Sequence, residues 1–499
     1  MNRIKLQQGI LASMAMLVVM ACDQGPDETP PEIRITSPLS GAVLSNLSVI
    51  QITVDDNRGL ESVTFMIDGD SIGTVFNKPF QLEWNTRNHA NGSHLIQCLA
   101  KDTAGNETLS KSIEITVDNA LFTAVFTDNW LCGDCGEGVL FVHDMSGNLI
   151  GQKSWVGNST VTIEDLELPL SDTVRLMITT IRDESYGNIK LTSYLDVPLG
   201  ETWTFKGVPG VDFNSFQTVE LDLGTIPSHS GWSFASGWAE LYSLTGSIPN
   251  PISLNTYQSA TSIYLRLSNT DTGTKYLWEP NLQAGGYDLN PNDLLPTTAR
   301  SIHFPANAQE ARALLYGYVN TGDYYHGSYL MDFTRFTINT TDMLVGTAPD
   351  VMSEYRTQLY YFTNSGWNYN TIYGDVPSDF NVIEADFVVN SADKNDFQIT
   401  TSGSFDQINS QWRYRTTATI YTWNVISAPE INQYRLPTLP SLVAEYFPNL
   451  FRNQFLLSKT ELIDYVGVLS NQEVWEIRFK TPGYFIQHVK ETKRRTKNN

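Results

Sequence analysis

Residue types that take part in hydrolytic catalysis are present in this sequence, but their spacing matches no catalytic motif. The seven histidines are scattered, and none belongs to a His-x-x-x-His or His-Glu-x-x-His pair that could bind zinc. No Gly-x-Ser-x-Gly turn supplies an activated serine, and no glycine-rich phosphate loop occurs. These absences argue against a zinc hydrolase, an α/β-hydrolase and a nucleotide-dependent enzyme.

Carboxylates could still form a catalytic pair or bind a cation. The acidic residues in or beside predicted strands of the C-terminal half are Glu354, Asp375, Asp379, Glu384 and Asp386. A glycosidase needs two such groups on either side of the scissile bond. In a chain with 54 acidic residues, closeness in sequence carries little information.

A second acidic group suggests a cation site rather than catalysis. Asp393, Asn395 and Asp396 resemble a fragment of a calcium-binding loop, without the glycine and distal glutamate of an EF-hand. We therefore expect no cofactor, and calcium is the one cation left open.

Aromatic residues form the densest cluster of candidate binding groups. Trp367, Tyr369 and Tyr373 lie close together, with Tyr360 and Tyr361 upstream, and asparagines stand between them. Aromatic rings beside amide side chains suit stacking on sugar rings. Tryptophan and tyrosine also fill the cores of β proteins, so core packing is the alternative interpretation.

Two cysteines form a Cys-x-x-Cys pair in a glycine-rich stretch. Outside the cytoplasm, Cys132 and Cys135 are expected to form a local disulfide that holds the turn. Free thiols, and metal or redox chemistry, are the alternatives, although no second ligand pair lies nearby. Cys98 lies within an alternating strand pattern and is expected to be a small buried hydrophobic residue.

The overall composition favours an all-β protein with an acidic surface. Of the 499 residues, 41% are hydrophobic and 11% aromatic, so packed cores can form. The net charge of -22 disfavours binding to nucleic acid or to anionic lipid through the protein itself. A solvated surface, or divalent cations bound by clustered acids, would account for the charge. The basic tail Lys490–Lys497 is expected to be a frayed terminus.

The N-terminus has the pattern of an export signal. Arg3 and Lys5 precede an apolar run from residue 10 to residue 21, too short to span a bilayer. Val19-Met20-Ala21-Cys22 resembles a lipobox, the signal for lipid attachment in bacterial lipoproteins. The resemblance implies cleavage after residue 21 and a lipid anchor, which includes palmitate, on Cys22. An ordinary secretory signal is the alternative. Residues 22–31 are rich in acid, glycine and proline and are expected to form a tether.

Residues 32–118 contain short alternating strand patterns separated by turn signals. Val63-x-Phe65-x-Ile67 runs into Asp68-Gly69, and Ala100-x-Asp102 runs into Ala104-Gly105-Asn106. Seven such strands in under 90 residues predict a β-sandwich. These motifs are similar to those of bacterial immunoglobulin-like domains. The resemblance implies a spacer or binding module without catalytic groups.

The remaining sequence continues the β pattern without a recognisable family. Residues 120–227 are predicted to form a second β-sandwich. Residues 228–499 are predicted to form a larger, mainly-β domain, with room for two subdomains. A segment from Trp412 to Val425 is expected to be one long, bent strand. One helix is predicted over residues 458–469, because Ser458 and Glu461 form a capping-box pattern before Leu462 and Ile463.

These observations favour a lipid-anchored protein of the cell envelope, at the outer membrane or cell surface. An Ig-like spacer would carry β domains that bind a glycan or an envelope protein without catalysis, and no nucleic acid. The alternatives are a surface polysaccharide hydrolase whose site is assembled from distant strands, and an envelope assembly or scaffold lipoprotein.

Overall fold

The computed structural model divides the chain into two compact units, Met1–Asn119 and Ala120–Asn499. It describes residues 26–127, 130, 137–164, 175–183, 188–207, 217–236, 240–243, 246–256, 261–270, 272–306, 309–324, 327–337 and 341–498. No helix within these ranges is long and apolar enough to cross a membrane.

The described part of the first unit, residues 26–119, is a sandwich of two β-sheets. Its strands are β1 (Glu32–Ser37), β2 (Val43–Leu44), β3 (Leu47–Asp55), β4 (Leu60–Ile67), β5 (Asp70–Val75), β6 (Gln81–Asn85), β7 (Gly92–Asp102), β8 (Glu107–Leu109) and β9 (Ile113–Val117). One sheet has the order β1-β3-β6 and the other β2-β9-β7-β4-β5, with β8 paired to β7. A 3-10 turn covers Thr86–Asn88. The predicted N-terminal β-sandwich is confirmed.

The alternating residues of this unit form its core, as the sequence pattern predicts. Val63 and Phe65 are fully buried, and Asp68-Gly69 turns the chain between β4 and β5 with positive φ at both residues. Cys98 is buried in the same core, so its prediction as a small hydrophobic residue is confirmed. Burial raises the pKa of its thiol to about 12, which keeps the sulfur protonated and unreactive.

In its described residues, the second unit is also built almost entirely of strands. They are β10 (Phe122–Thr127), β11 (Gly138–Asp144), β12 (Leu149–Trp155), β13 (Ser159–Ile163), β14 (Arg175–Asp183), β15 (Asn188–Pro198), β16 (Glu201–Lys206), β17 (Gln217–Asp222), β18 (Gly231–Ala235), β19 (Glu240–Ser243), β20 (Ile252–Thr256), β21 (Thr261–Thr270), β22 (Gly273–Leu282), β23 (Gly285–Asp288), β24 (Leu295–Pro296), β25 (Thr298–His303), β26 (Glu310–Tyr318), β27 (Tyr329–Thr337), β28 (Asp342–Thr347), β29 (Glu354–Thr363), β30 (Gly366–Gly374), β31 (Ala385–Asp393), β32 (Asp396–Gly403), β33 (Gln407–Arg415), β34 (Ile420–Ser427), β35 (Gln433–Tyr434), β36 (Leu456–Tyr465) and β37 (Glu491–Asn498).

The helices in the described part of this unit are short. They are α1 (Ser441–Tyr446), α2 (Asn471–Trp475) and α3 (Phe485–His488), with 3-10 turns at Pro291–Asp293 and Arg452–Gln454 and a π-helical turn at Glu476–Lys480. The prediction of an all-β fold is confirmed.

A sheet of 12 strands runs through the described part of the second unit, in the order β12-β11-β14-β15-β34-β33-β36-β37-β30-β29-β26-β27. Smaller sheets cover it. The sheet β13-β10-β16 packs over one face of its first half, and β31-β32-β35 packs over the other. A third core covers the second half of the large sheet. Strands β25 and β28, and strands β18, β21 and β22, contribute residues to it. A further sheet, β20-β17-β23, packs against β18, β21 and β22 around a separate core.

The large sheet joins the second and third predicted domains. Strand β15 lies in the predicted second domain and β34 in the predicted third domain. The two strands pair in parallel over seven residues, from the pair Asn188–Ile420 to the pair Tyr194–Ile426. The predicted division at residue 227 therefore does not coincide with a boundary between sheets. The division after residue 119 does separate two sets of sheets.

The predicted helix over residues 458–469 is wrong, because Ser458 to Tyr465 belong to strand β36. Leu462 packs in one core and Ile463 in another, on opposite faces of the sheet. A strand covered on both faces carries consecutive apolar residues, and this run imitates helical spacing. The capping pattern that is used lies at Ser470, whose hydroxyl accepts a hydrogen bond from the Glu473 amide at the start of α2.

Two further predictions need correction. Residues 412–425 are not one bent strand, because β33 ends at Arg415, Thr416–Thr419 turn the chain, and β34 returns beside it. The basic tail is not frayed. As β37 it pairs with β30 on one side and β36 on the other, and Arg495 and Thr496 are buried. Both segments are ordered by strand partners that lie far away in sequence.

Candidate functional site

Strands β26, β29, β30 and β37 place the predicted aromatic residues on one sheet. Successive side chains of a strand point to opposite faces, so each strand contributes one inward and one outward set. Leu359 and Tyr361 of β29 and Asn368 and Asn370 of β30 point inward and are buried. The other set points outward and is half-buried.

Four aromatic side chains lie side by side on the outward face, and we refer to them as the aromatic face: Tyr360, Phe362, Trp367 and Tyr369. Tyr360 stands directly opposite Tyr369, and Phe362 stands opposite Trp367. The ring centres lie 5.1 Å apart in the first pair, 4.7 Å in the second and 6.0 Å between Trp367 and Tyr369. These contacts hold the rings in fixed positions while part of each stays accessible.

Cationic groups surround these rings. The guanidinium of Arg312 on β26 lies 5.5 Å from the ring centre of Trp367, within the range of a cation–π contact. Glu310 forms an ion pair with Arg312 and a 3.0 Å ion pair with Arg335. Arg494 on β37 stands opposite Tyr369. A chain with net charge -22 therefore carries a group of arginines at this position.

The two tyrosines of the aromatic face keep their hydroxyl protons at physiological pH. Burial raises the pKa of Tyr369 to about 12, and burial also raises the pKa of Tyr360. Each hydroxyl can therefore donate and accept a hydrogen bond, while the arginines can only donate. The face offers flat apolar surface together with both kinds of hydrogen-bonding group.

Tyr373 belongs to a different group of side chains on the same strand. It lies four residues beyond Tyr369, and its ring packs 4.9 Å from Tyr324 and 6.5 Å from Tyr318. Tyr324 donates a 2.5 Å hydrogen bond to Glu354, and Lys490 lies 3.3 Å from the same carboxylate. The three aromatic residues predicted from the sequence thus divide into a pair, Trp367 and Tyr369, and a separate Tyr373.

Glu354 is held as a carboxylate in this second group. Burial would raise its pKa, but hydrogen bonds from the Tyr324 hydroxyl and the Gly322 amide, together with Lys490, lower it below its usual value. Asp386, another predicted carboxylate, lies 2.7 Å from Lys497. These two acids are each engaged by a lysine of the C-terminal segment.

The acidic loop around residue 395 forms the turn of the β31–β32 hairpin. The carboxylate of Asp393 accepts a hydrogen bond from the Asn395 amide, and Asp396 accepts from Gln398 and Gln433. The Asn395 side chain accepts from Arg452. Their oxygens thus serve to close a turn, and calcium binding at this loop remains a sequence-based prediction.

Three predicted site residues cannot be placed. Cys22, Cys132 and Cys135 lie outside the described residues. The anchor and the disulfide therefore remain predictions. His94 contacts a carboxylate oxygen of Asp68 at 2.6 Å and the carbonyl oxygen of Ala90 at 2.7 Å.

The sequence also held a signal for Phe362, an aromatic member of the site that the sequence analysis missed. Tyr360 and Phe362, then Trp367 and Tyr369, alternate on either side of Asn364-Ser365-Gly366, which is the pattern of a hairpin with one aromatic face. Arg312 gave no such signal, because it lies 55 residues before Trp367 and reaches it only through the pairing of β26 with β29.

An open pocket elsewhere on the second unit is lined by His303, Ser378, Asp379 and Phe380, among others. The imidazole of His303 lies 3.2 Å from Asp342, while the Ser378 hydroxyl donates to Asp379. The serine and the histidine are therefore each paired with a different carboxylate, and this arrangement is not a catalytic triad.

Comparison with known proteins identifies one part of the chain. A family model described as a bacterial Ig domain matches residues 31–97. This match agrees with the predicted resemblance and with the two-sheet sandwich of the first unit, and domains of this family are typical of surface or extracellular proteins. No curated protein matches the chain.

The chain also matches several solved structures at low similarity. Fibronectin(III)-like modules of Clostridium thermocellum CbhA are 27% identical, with a TM-score of 0.15, covering 17% of this chain and 96% of that one. The Bacteroides ovatus mixed-linkage glucan utilization locus SGBP-B, in complex with a mixed-linkage heptasaccharide, is 12% identical, with a TM-score of 0.17, covering 64% and 93%. The Bacillus anthracis TIE protein is 8% identical, with a TM-score of 0.16, covering 71% and 74%. We draw no functional argument from likenesses at these TM-scores.

Proposed function

We propose that this chain is a non-catalytic binding protein of the bacterial cell envelope and that its aromatic face binds a glycan. One observation carries the proposal: four half-buried aromatic rings share the outer face of two paired strands, with Arg312 placed over Trp367. Sugar rings present C–H groups on their faces and hydroxyls at their edges. Flat rings beside arginine, glutamate and tyrosine hydroxyls match both features.

The charge of the chain and the rigidity of the site support a glycan over other ligands. A net charge of -22 opposes approach by nucleic acid, although aromatic rings and arginines would otherwise suit one. The rings are carried by paired strands rather than by loops, so little conformational entropy is lost when a ligand binds. A neutral polysaccharide is not repelled by the negative charge of the chain.

The export signal and the Ig-like domain suggest where the binding takes place. We propose that the chain is anchored by lipid at Cys22, that residues 22–31 form the tether, and that the bacterial Ig domain acts as a spacer. Catalysis by a carboxylate pair, or a scaffold role in envelope assembly, are the competing functions. Both can be distinguished from binding by the same experiment.

The test is a glycan array followed by affinity electrophoresis of the full chain in gels that contain the best polysaccharide from the array. Trp367→Ala and Tyr369→Ala should each weaken binding at least about tenfold, since buried aromatic anchors in binding sites contribute about 1.4 kcal/mol or more. Phe451→Ala is the matched control, because Phe451 is an exposed aromatic residue away from this sheet face.

Three results would contradict the proposal. Unchanged binding by both variants would place the site elsewhere. Release of reducing sugar from the bound polysaccharide would favour the hydrolase. A protein partner would be favoured if the chain retains no glycan and an envelope protein co-purifies with the wild type but not with the Trp367→Ala variant.

A further inference from the structure

Three aspartates from separate parts of the first unit meet at one end of the Ig-like sandwich. Asp27 belongs to the segment before β1, Asp56 follows β3, and Asp102 ends β7. One carboxylate oxygen from each lies within 4.8 Å of the others. The sequence separates these residues by up to 75 positions, so only the fold brings them together.

Hydrogen bonds hold the outer oxygens of two of these carboxylates. Asp56 Oδ2 accepts from the amides of Arg58 and Gly59 at 2.8 and 2.7 Å. Asp27 Oδ1 accepts from the Thr29 amide and the Asn57 side chain at 3.1 and 3.2 Å. Such bonds fix the orientation of a carboxylate as outer-shell partners do in metal sites.

The opposite oxygens of the same two carboxylates are buried and without hydrogen-bond partners. The Asp27 side chain is only 4% exposed, and neither its Oδ2 nor Oδ1 of Asp56 has a hydrogen-bond donor among the described residues. Nε of Arg58 forms an ion pair with Asp27 Oδ2 at 4.0 Å, which is beyond hydrogen-bond distance. A buried carboxylate oxygen that accepts no hydrogen bond is costly, so it indicates a ligand that the protein chain does not itself supply.

Asp102 adds a third carboxylate, which is fully buried. It accepts hydrogen bonds from the Asn106 side chain and from the amides of Asn106 and Ala104, and these bonds fix its orientation. Oδ1 accepts two of these bonds and Oδ2 only one, so Oδ2 has a second lone pair available. Three carboxylates this close repel one another strongly unless a cation lies between them.

We propose that Asp27, Asp56 and Asp102 bind a divalent cation, and that the cation is Ca²⁺. The ligands are all hard oxygens, which excludes the nitrogen and sulfur sets that zinc prefers. They come from the segment before β1, the turn after β3 and the end of β7, and calcium tolerates such irregular geometry better than magnesium does. This site is independent of the aromatic face and does not rest on the function proposed for it.

The bound ion would fasten the tether to the domain. The Asn106 side chain already donates a 2.9 Å hydrogen bond to the carbonyl oxygen of Asp27, which places that segment against the β7–β8 turn. A cation shared by Asp27 and two domain residues converts this weak contact into a cross-link. The connection between the tether and the sandwich is then stiff in calcium and loose without it.

The test is equilibrium dialysis of the full chain with ⁴⁵Ca²⁺ at 0.15 M salt after treatment with EDTA. We expect a site with a Kd of about 10⁻³ M or tighter, as in extracellular calcium modules. Asp27→Asn and Asp56→Asn should each reduce the bound calcium by one ion per chain. Asp55→Asn, an exposed neighbour outside the cluster, should change nothing. Hydrogen exchange at the Thr29 amide should slow in calcium for the wild type only.

The proposal fails if both variants bind calcium with the wild-type stoichiometry, or if the full chain binds none at 10 mM. It also fails if Asp55→Asn loses the same ion, because general surface charge would then explain the binding. Magnesium binding at least as tight as calcium binding would overturn the choice of ion.

Discussion

Asp406 has a carboxylate that burial makes costly to ionise. It is 9% exposed and accepts a 2.6 Å hydrogen bond from the Tyr465 amide. Burial raises its pKa to about 6, and the nearby charges of Asp464 and Glu473 act in the same direction. In an unfolded chain an aspartate titrates near 3.9, so the folded state binds the proton more tightly.

This difference predicts a pH-dependent stability that Asp406→Asn should remove. Between about pH 4 and pH 6 the native state holds more protons than the unfolded state, so stability falls as the pH rises through this window. The amide still accepts the bond from Tyr465 but carries no charge. At pH 7.5 we expect the variant to be more stable by up to about 2 kcal/mol, with the gain disappearing below pH 4. Urea unfolding at several pH values would measure it.

Asp350→Asn is the control, because Asp350 is an exposed aspartate on the same unit. A parallel pH profile for the wild type and Asp406→Asn would show that this carboxyl group does not have the raised pKa that the structure indicates.

At the scale of the secondary-structure element, β37 shows how a polar segment can become a central strand. Its sequence Glu-Thr-Lys-Arg-Arg-Thr-Lys-Asn is that of an exposed tail, yet the strand connects β30 to β36. Its charges are satisfied by neighbours: Arg495 donates to Ser365, and Lys497 pairs with Asp386. The paired backbone, rather than apolar burial, fixes this strand.

Removing residues 491–499 should therefore destabilise the second unit severely. The deletion leaves facing edges on β30 and β36 and breaks the large sheet in its middle, so we expect a loss of more than about 4 kcal/mol and a tendency to aggregate. Thermal unfolding followed by circular dichroism would measure the loss. Deletion of Asn499 alone is the control. If the longer deletion unfolds at the same temperature as the control, the tail is frayed after all.

At the scale of the whole molecule, the strand pairs between β15 and β34 and between β33 and β36 tie distant parts of the chain together. If the C-terminal half were removed, β15 would lose its partner β34, and residues 120–227 would have an unpaired strand edge there. Sequence periodicity marks each strand but contains no information about such partners. The proposed binding face depends on the same long-range pairing, because Arg312 reaches Trp367 across β29.

The proposed lipid anchor is also a property of the whole molecule and can be tested directly. Cells that express the full chain and are fed a clickable fatty acid should label the wild type and Cys132→Ala, which leaves the lipobox-like sequence intact. Cys22→Ala should remain unlabelled, because the thiol that would carry the diacylglyceryl group is absent. Labelling of Cys22→Ala, or a wild type that stays dark, would contradict the anchor.

The amino-acid sequence by itself determined the features that depend on near neighbours. Alternation in Val63, Phe65 and Ile67, with Asp68-Gly69 after them, was sufficient for the Ig-like sandwich, because strand faces and tight turns are set within a few residues. The density of Trp367 and Tyr369 left two interpretations open, ligand binding and core packing.

Only the tertiary structure decided which segments meet. It made β36 a strand instead of a helix, since Leu462 and Ile463 face two different cores, and it made the basic tail a central strand. It also separated Tyr373 from the aromatic face and brought Asp27, Asp56 and Asp102 together. These outcomes depend on strand pairing and burial between residues far apart in the chain, which local patterns do not encode.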